Sequence, residues 1–124
     1  MALSIRQPWT DMILYNGKDI ENRSWSTKYH GRILIHAAKG MTTHEWKDAV
    51  DFASRECKAS GFKDFKALER GGIIGSVEIF DCVRNSKSPW FVGDFGFQLR
   101  DPRPLPFMLW KGQLKFFDVP CKEQ

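Results

Sequence analysis

Lys18, Glu21 and Arg23 crowd into one short stretch, Gly17–Trp25, which reads GKDIENRSW. An amine, a carboxylate and a guanidinium held together can bind a polar ligand, orient a water or pass a proton. Beyond Gly17 the chain is expected to extend, and alternation then puts Glu21, Arg23 and Trp25 on one face and Ile20 on the other. Glu21 and Arg23 stand about 7 Å apart along such a strand, so their heads can meet or share a ligand. Lys18, in the turn just before, reaches the same place. A strand face that carries two charges beside an indole breaks the apolar pattern, and such breaks mark functional sites. The ordinary role of such a pair is a solvated ion pair contributing at most about 1 kcal/mol. On that reading Lys18 is a surface side chain whose removal leaves stability nearly unchanged.

The elements that must position the trio follow from patterning. Ala2–Ile5 suits a short strand. Pro8 is well placed as the first residue of a helix. Trp9, Met12 and Ile13 give its apolar stripe, and Gly17 suits the position after it, where a positive φ is wanted. Ser26–His30 reads as a connection. Gly31–Ala37 (GRILIHA) alternates as a strand, with Ile33 and Ile35 facing one way and Arg32, Leu34 and His36 the other. Lys39 and Gly40 turn the chain. Thr42–Cys57 is the clearest helix: Thr42 and Glu45 form a capping box, and Trp46, Ala49, Val50, Ala53 and Cys57 share a face. Phe62–Arg70 suits another helical turn. Residues 73–83 (IIGSVEIFDCV) are apolar on both faces and predict a central strand, in which Glu78 needs a partner if it is buried. Asn85–Gly93 reads as a loop that exposes Trp90 at its tip, and Phe95–Arg100 as a strand. Asp101–Pro106 reads as a proline-rich turn, Leu114–Val119 as a last strand and the terminal CKEQ as frayed. Five or six strands without βα alternation predict an α+β fold: a small, mostly antiparallel β-barrel with two or three helices packed outside.

The whole chain bounds the function classes. Its 124 residues fit a single domain. A net charge of +4, from 19 basic against 15 acidic residues, mildly favours a polyanionic partner. Five tryptophans and ten phenylalanines are many for this length; some belong to the core, and exposed ones would suit stacking on bases. No apolar run is long enough to span a membrane. The N-terminus has no secretory pattern, and three widely spaced cysteines make no disulfide framework, so a cytoplasmic, reducing compartment is expected. The histidines lack zinc spacing, so neither a metal nor a cofactor is expected.

Several segments together resemble the ASCH domain family, a branch of the PUA-like barrels, here as a small stand-alone member of bacterial or phage type. They are LSIRQPW, KDIENRSW, GRILIHA, GGIIGSVEIFDCV and the closing run SPWFVGDFGFQL…DPRPL…KGQL. The family hallmark is written G-x-K-x-x-E-x-R. Lys18, Glu21 and Arg23 occupy its last three fixed positions. Asn16 stands at the place of the glycine, and Gly17 directly precedes the lysine.

The resemblance implies a PUA-like barrel whose cleft, between barrel and helices, is associated with RNA or other nucleic acid. Some members cleave RNA. A small relative hydrolyses the amide of an acylated cytidine with the hallmark lysine, but has threonine where this chain has Glu21. The leading expectation is therefore a domain that binds single-stranded nucleic acid, RNA before DNA, with ribonuclease activity as a possible addition. Arg6, Gln7, Trp25, His36, Lys39 and Trp90 would contact the nucleic acid, and Lys18, Glu21 and Arg23 would form the reactive set. Arg6, Lys18, Arg23 and Lys39 would meet phosphates or a base edge, and Trp9, for which core packing is the ordinary role, is a further stacking candidate. The alternatives are an amidohydrolase acting on a modified nucleoside, with Lys18 as base or nucleophile and Glu21 positioning water, and a non-catalytic interaction module in RNA metabolism.

Overall fold

The computed structural model describes residues 1–120. Strands β1 (Ala2–Ile5), β2 (Ile20–Arg23), β3 (Gly31–Ala37), β4 (Gly72–Val83), β5 (Phe95–Leu109) and β6 (Phe116–Phe117) form one sheet of order β2-β5-β4-β3-β1-β6. Only β1 and β3 pair in parallel; every other neighbour is antiparallel. Helices α1 (Trp9–Tyr15) and α2 (Thr43–Cys57) and a 3₁₀ turn, Phe65–Ala67, are the other elements of the described residues. This is the expected α+β fold, a curled half-barrel of the PUA-like kind.

The curl has a visible cause. Register shifts interrupt the β3–β4 ladder at Ile35/His36 and the β4–β5 ladder at three places, and such bulges bend and twist a sheet. The bend brings the two ends of the sheet toward each other. Arg23 of β2 donates to Ser4 O of β1 at 2.8 Å. Next to this seam the Trp25 ring lies edge-on to Phe97 of β5 and Phe116 of β6, 5.2 and 5.5 Å away. Inside the curl lie Leu3, Ile5, Ile33, Ile35, Val77, Ile79 and Phe97, closed from one side by Ile13 and Leu14 of α1. Bare backbone at Gly75 allows that closure, because a Cβ there would stand 2.7 Å from Leu14. A second core, built on Met12, Ile20, Ala49, Ala53 and Trp90, seats α2 against α1 and the loop before β5.

Local signals in the sequence held well for these elements. Thr42 caps α2 through the full capping box with Glu45. β4 lies inside the sheet, as its two apolar faces require. Glu78 is half-buried and takes its partner from the neighbouring strand, Arg100 at 2.9 Å.

Three expectations need correction. Asp101–Pro106 is not a turn: β5 runs through it to Leu109, because β4 is long enough to pair with it and Asp101 absorbs the irregularity at φ +55°. The last strand is confined to Phe116–Phe117, since only those residues meet β1. Trp90 is not an exposed tip. It is 5% accessible because Asn22 ties down its loop, donating to Trp90 O and accepting from Val92 N, each at 2.9 Å. The frayed tail expected at 121–124 lies outside the described residues.

Candidate functional site

The end of α1 delivers the lysine. Asn16 caps the helix, Gly17 follows at φ +80°, and the Lys18 N–H donates back to Met12 O at 3.1 Å. Gly17 thus makes the helix-ending turn one residue later than the hallmark glycine would. Asn16, at the glycine's place, donates its amide to Ser60 O at 2.8 Å and so pins the end of α1 to the segment after α2. The chain then enters β2 with Glu21 and Arg23 in register against β5.

The trio converges. Lys18 Nζ lies 3.5 Å from Glu21 Oε1 and donates to Ile20 O. Arg23 Nε donates to Glu21 Oε2 at 3.0 Å. One carboxylate therefore bridges two cations, and this is no solvated surface pair: the Lys18 and Glu21 side chains are 3% and 10% accessible. The surface lysine expected from the sequence is a buried one. Two indoles flank its amine, with the Trp9 and Trp90 rings 5.5 and 6.0 Å away. Burial pushes the Lys18 pKa below its ordinary value, against the opposing pull of Glu21.

That shift has a consequence for stability. A lysine whose folded pKa is lowered weakens the fold while it is protonated, and the penalty fades as pH rises from the folded value toward the ordinary 10.5. The stability of the wild type relative to Lys18→Met should therefore improve as pH is raised toward 10.5. Paired urea unfolding curves at several pH values check this. A pH-independent difference would mean that burial does not perturb the amine.

Lys18 and Glu21 open into a cavity of about 550 Å³ between the sheet and α2. Trp9, Trp90, Phe52 and Ala49 give it apolar walls; Arg6, Asn22, Glu45 and Asp48 add polar groups. Its cations are satisfied internally. Arg6 is paired with Glu45 at 2.7 Å, Lys18 with Glu21, and the cavity holds two cations against three carboxylates.

The predicted site residues separate into groups. Arg6, Gln7, Lys18, Glu21 and Trp90 line this cavity, with Arg23 behind Glu21. Gln7 is fully engaged, donating to Asp11 Oδ1 and Glu69 O at 2.7 and 2.9 Å. Trp25 lies outside the cavity in the aromatic cluster that closes the barrel. His36 and Lys39 line a different cavity. His36 is buried with both ring nitrogens in contact, Nε2 with Trp110 O at 2.6 Å and Nδ1 with Ser4 Oγ at 3.0 Å. A carbonyl only accepts, so Nε2 carries a proton, and in the neutral ring Nδ1 then accepts from the serine. His36 is thus a hydrogen-bonded histidine at the edge of the core, with both ring nitrogens engaged within the protein.

Sequence reading missed Asn22, Glu45, Asp48 and Phe52 as cavity residues. The last three follow helical spacing along one edge of α2, a signal that was present but indistinguishable from a capping residue and a solvated face.

A model of the ASCH domain family matches residues 3–91. Among curated proteins, the chain is similar to activating signal cointegrator 1 of Homo sapiens and of Mus musculus. Each is 26% identical over 82 residues, covering 66% of this chain and 14% of the relative. The chain thus spans about one seventh of the length of these relatives. The matched residues include the lysine–glutamate–arginine trio and most of the cavity wall. The chain belongs to the ASCH domain family, which is PUA-like and associated with RNA binding.

Proposed function

We propose that the protein binds single-stranded RNA and that the cleft takes one unstacked base rather than a phosphate. One observation carries this reading: the cations of the cleft are already neutralised by carboxylates, while its walls are indole and phenyl rings. A further anion would meet Glu21, Glu45 and Asp48. An uncharged ring with a polar edge meets aromatic faces, the Asn22 amide and the Lys18–Glu21 pair. Base–aromatic stacking contributes about 1–3 kcal/mol per base, and the cavity falls within the 300–1,000 Å³ usual for small-ligand pockets.

Tryptophan fluorescence reports directly on this cleft, because Trp9 and Trp90 line it. Titration with short single-stranded RNA should change the emission saturably, and single ribonucleosides should compete at higher concentration. Emission unaltered by every oligonucleotide and nucleoside in the series would refute the reading.

A second reading draws support from the desolvated Lys18 amine beside Glu21: hydrolysis of an amide on a modified nucleoside. A water that the lysine deprotonates would attack the acyl carbon, and the C–N bond would break with that proton passing from the lysine to the leaving amine. Incubation with an acylated cytidine should then release the free nucleoside and the acid.

A further inference from the structure

A second cavity, of about 950 Å³, lies at the end of the barrel where β1, β3 and β5 finish and β4 begins. Lys39, Arg70 and Lys111 line it without any carboxylate. Among the described residues none of the three forms an ion pair. This reverses the charge balance of the first cleft.

The cavity is also built rather than merely charged. Arg70 Nη1 donates to Lys39 O at 3.1 Å, a contact that orients the guanidinium without neutralising it. Gly71 N–H donates to Ala37 O at 2.7 Å and Trp110 N–H to Gly71 O at 3.2 Å, tying the wall to β3. The buried His36 forms the floor, and Gly112 packs so closely over it that a Cβ would stand 2.7 Å from the ring. The wall from Leu109 to Leu114 lies beyond the residues that the family model matches.

The two cavities are neighbours. Arg6, on the rim of the first, lies against Gly40, where a Cβ would stand 3.1 Å from its guanidinium; the preceding residue, Lys39, lines the second. We propose that this second cavity holds the phosphodiester backbone of the strand whose base enters the cleft. The inference rests on the RNA reading of the cleft. Bases and phosphates are then received separately, the first by an aromatic pocket whose cations are neutralised and the second by cations that have no ion-pair partner among the described residues.

Lys39 and Lys111 are exposed, so Lys39→Gln/Lys111→Gln should fold as the wild type does. The salt dependence of single-stranded RNA binding should fall by about 1.4 in log–log slope, two contacts at about 0.7 each. A fourfold rise in salt should then weaken the wild type about seven times more than the variant, by the same relation. The affinity of a single ribonucleoside for the cleft, titrated directly by tryptophan fluorescence, should be unchanged. Tripolyphosphate titrated into the isotope-labelled protein should shift the amides of Gly71 and Gly112 and leave those of Glu21 and Asn22 in place. An unchanged slope in the double variant, or tripolyphosphate shifts centred on the cleft, overturns the proposal. Tripolyphosphate at the second cavity with no RNA binding at all would leave an anion site standing and overturn the RNA reading instead.

Discussion

Replacing Glu21 with alanine is expected to remove about 3–5 kcal/mol of folding stability, the range for breaking a buried ion pair by deleting one partner. The carboxylate sits between Lys18 Nζ at 3.5 Å and Arg23 Nε at 3.0 Å and is almost sealed from solvent. Without it, Lys18 is left with the Ile20 carbonyl and two indole faces, and Arg23 keeps only Ser4 O as acceptor. Against a total stability of about 5–15 kcal/mol, such a loss is a large fraction of the fold. Lys18→Met/Glu21→Leu should recover the share that comes from stranding Lys18, because both buried groups of that pair become apolar, while Arg23, 20% accessible, still lacks its carboxylate. The exposed Arg55–Asp51 pair provides the control, at 69% and 60% side-chain accessibility; Asp51→Ala should cost no more than about 1 kcal/mol. Urea unfolding of these variants measures the coupling directly. A Glu21→Ala loss no greater than that of Asp51→Ala would mean that the trio is held by its surroundings and not by its own charges.

The second large effect concerns Lys18 and ligand. Its burial makes alanine a poor probe, since truncation opens a cavity beneath Trp9 and Trp90. Arginine is a poor one too, because a wider guanidinium has to fit between Glu21 and two indole rings where the lysine side chain is already only 3% accessible. Methionine keeps the length of the stem and removes only the amine. If the amine meets a base in the cleft, Lys18→Met should weaken RNA binding by about 1.5–3 kcal/mol, roughly 10- to 150-fold, as for losing a hydrogen bond to a charged group. The salt slope should hardly move, because Lys18 is already paired with Glu21 and would release no counterions. If instead the protein turns over an acylated nucleoside, Lys18→Met should cut the rate at least about a hundredfold, the lower end for removing a general base. Binding and turnover both unchanged would place the working site away from this cleft.

What the sequence determined by itself was local in its physics. Thr42 and Glu45 cap α2 because their spacing satisfies helix-end donors wherever the helix is placed. Gly31–Ala37 is a strand because alternation suits a sheet with one buried face, and the two apolar faces of β4 could be accommodated only inside the sheet. Lys18, Glu21 and Arg23 were legible as a group because three residues of complementary charge fall within one turn and one strand.

The tertiary structure decided what those residues face. The bulges in β3 and β4 curl the sheet until Arg23 reaches Ser4, and α2 lays Glu45 against Arg6, 39 residues away. Asn22 draws Trp90 inward across a separation of 68 residues, turning an expected exposed ring into a cavity wall. Lys39 is brought beside Arg70 and Lys111, from distant segments, while His36 is sealed beneath them. Burial and charge compensation depend on groups far apart in the chain, so spacing alone could mark the trio but could not separate the aromatic cleft, with its neutralised cations, from the second cavity, whose cations meet no carboxylate among the described residues.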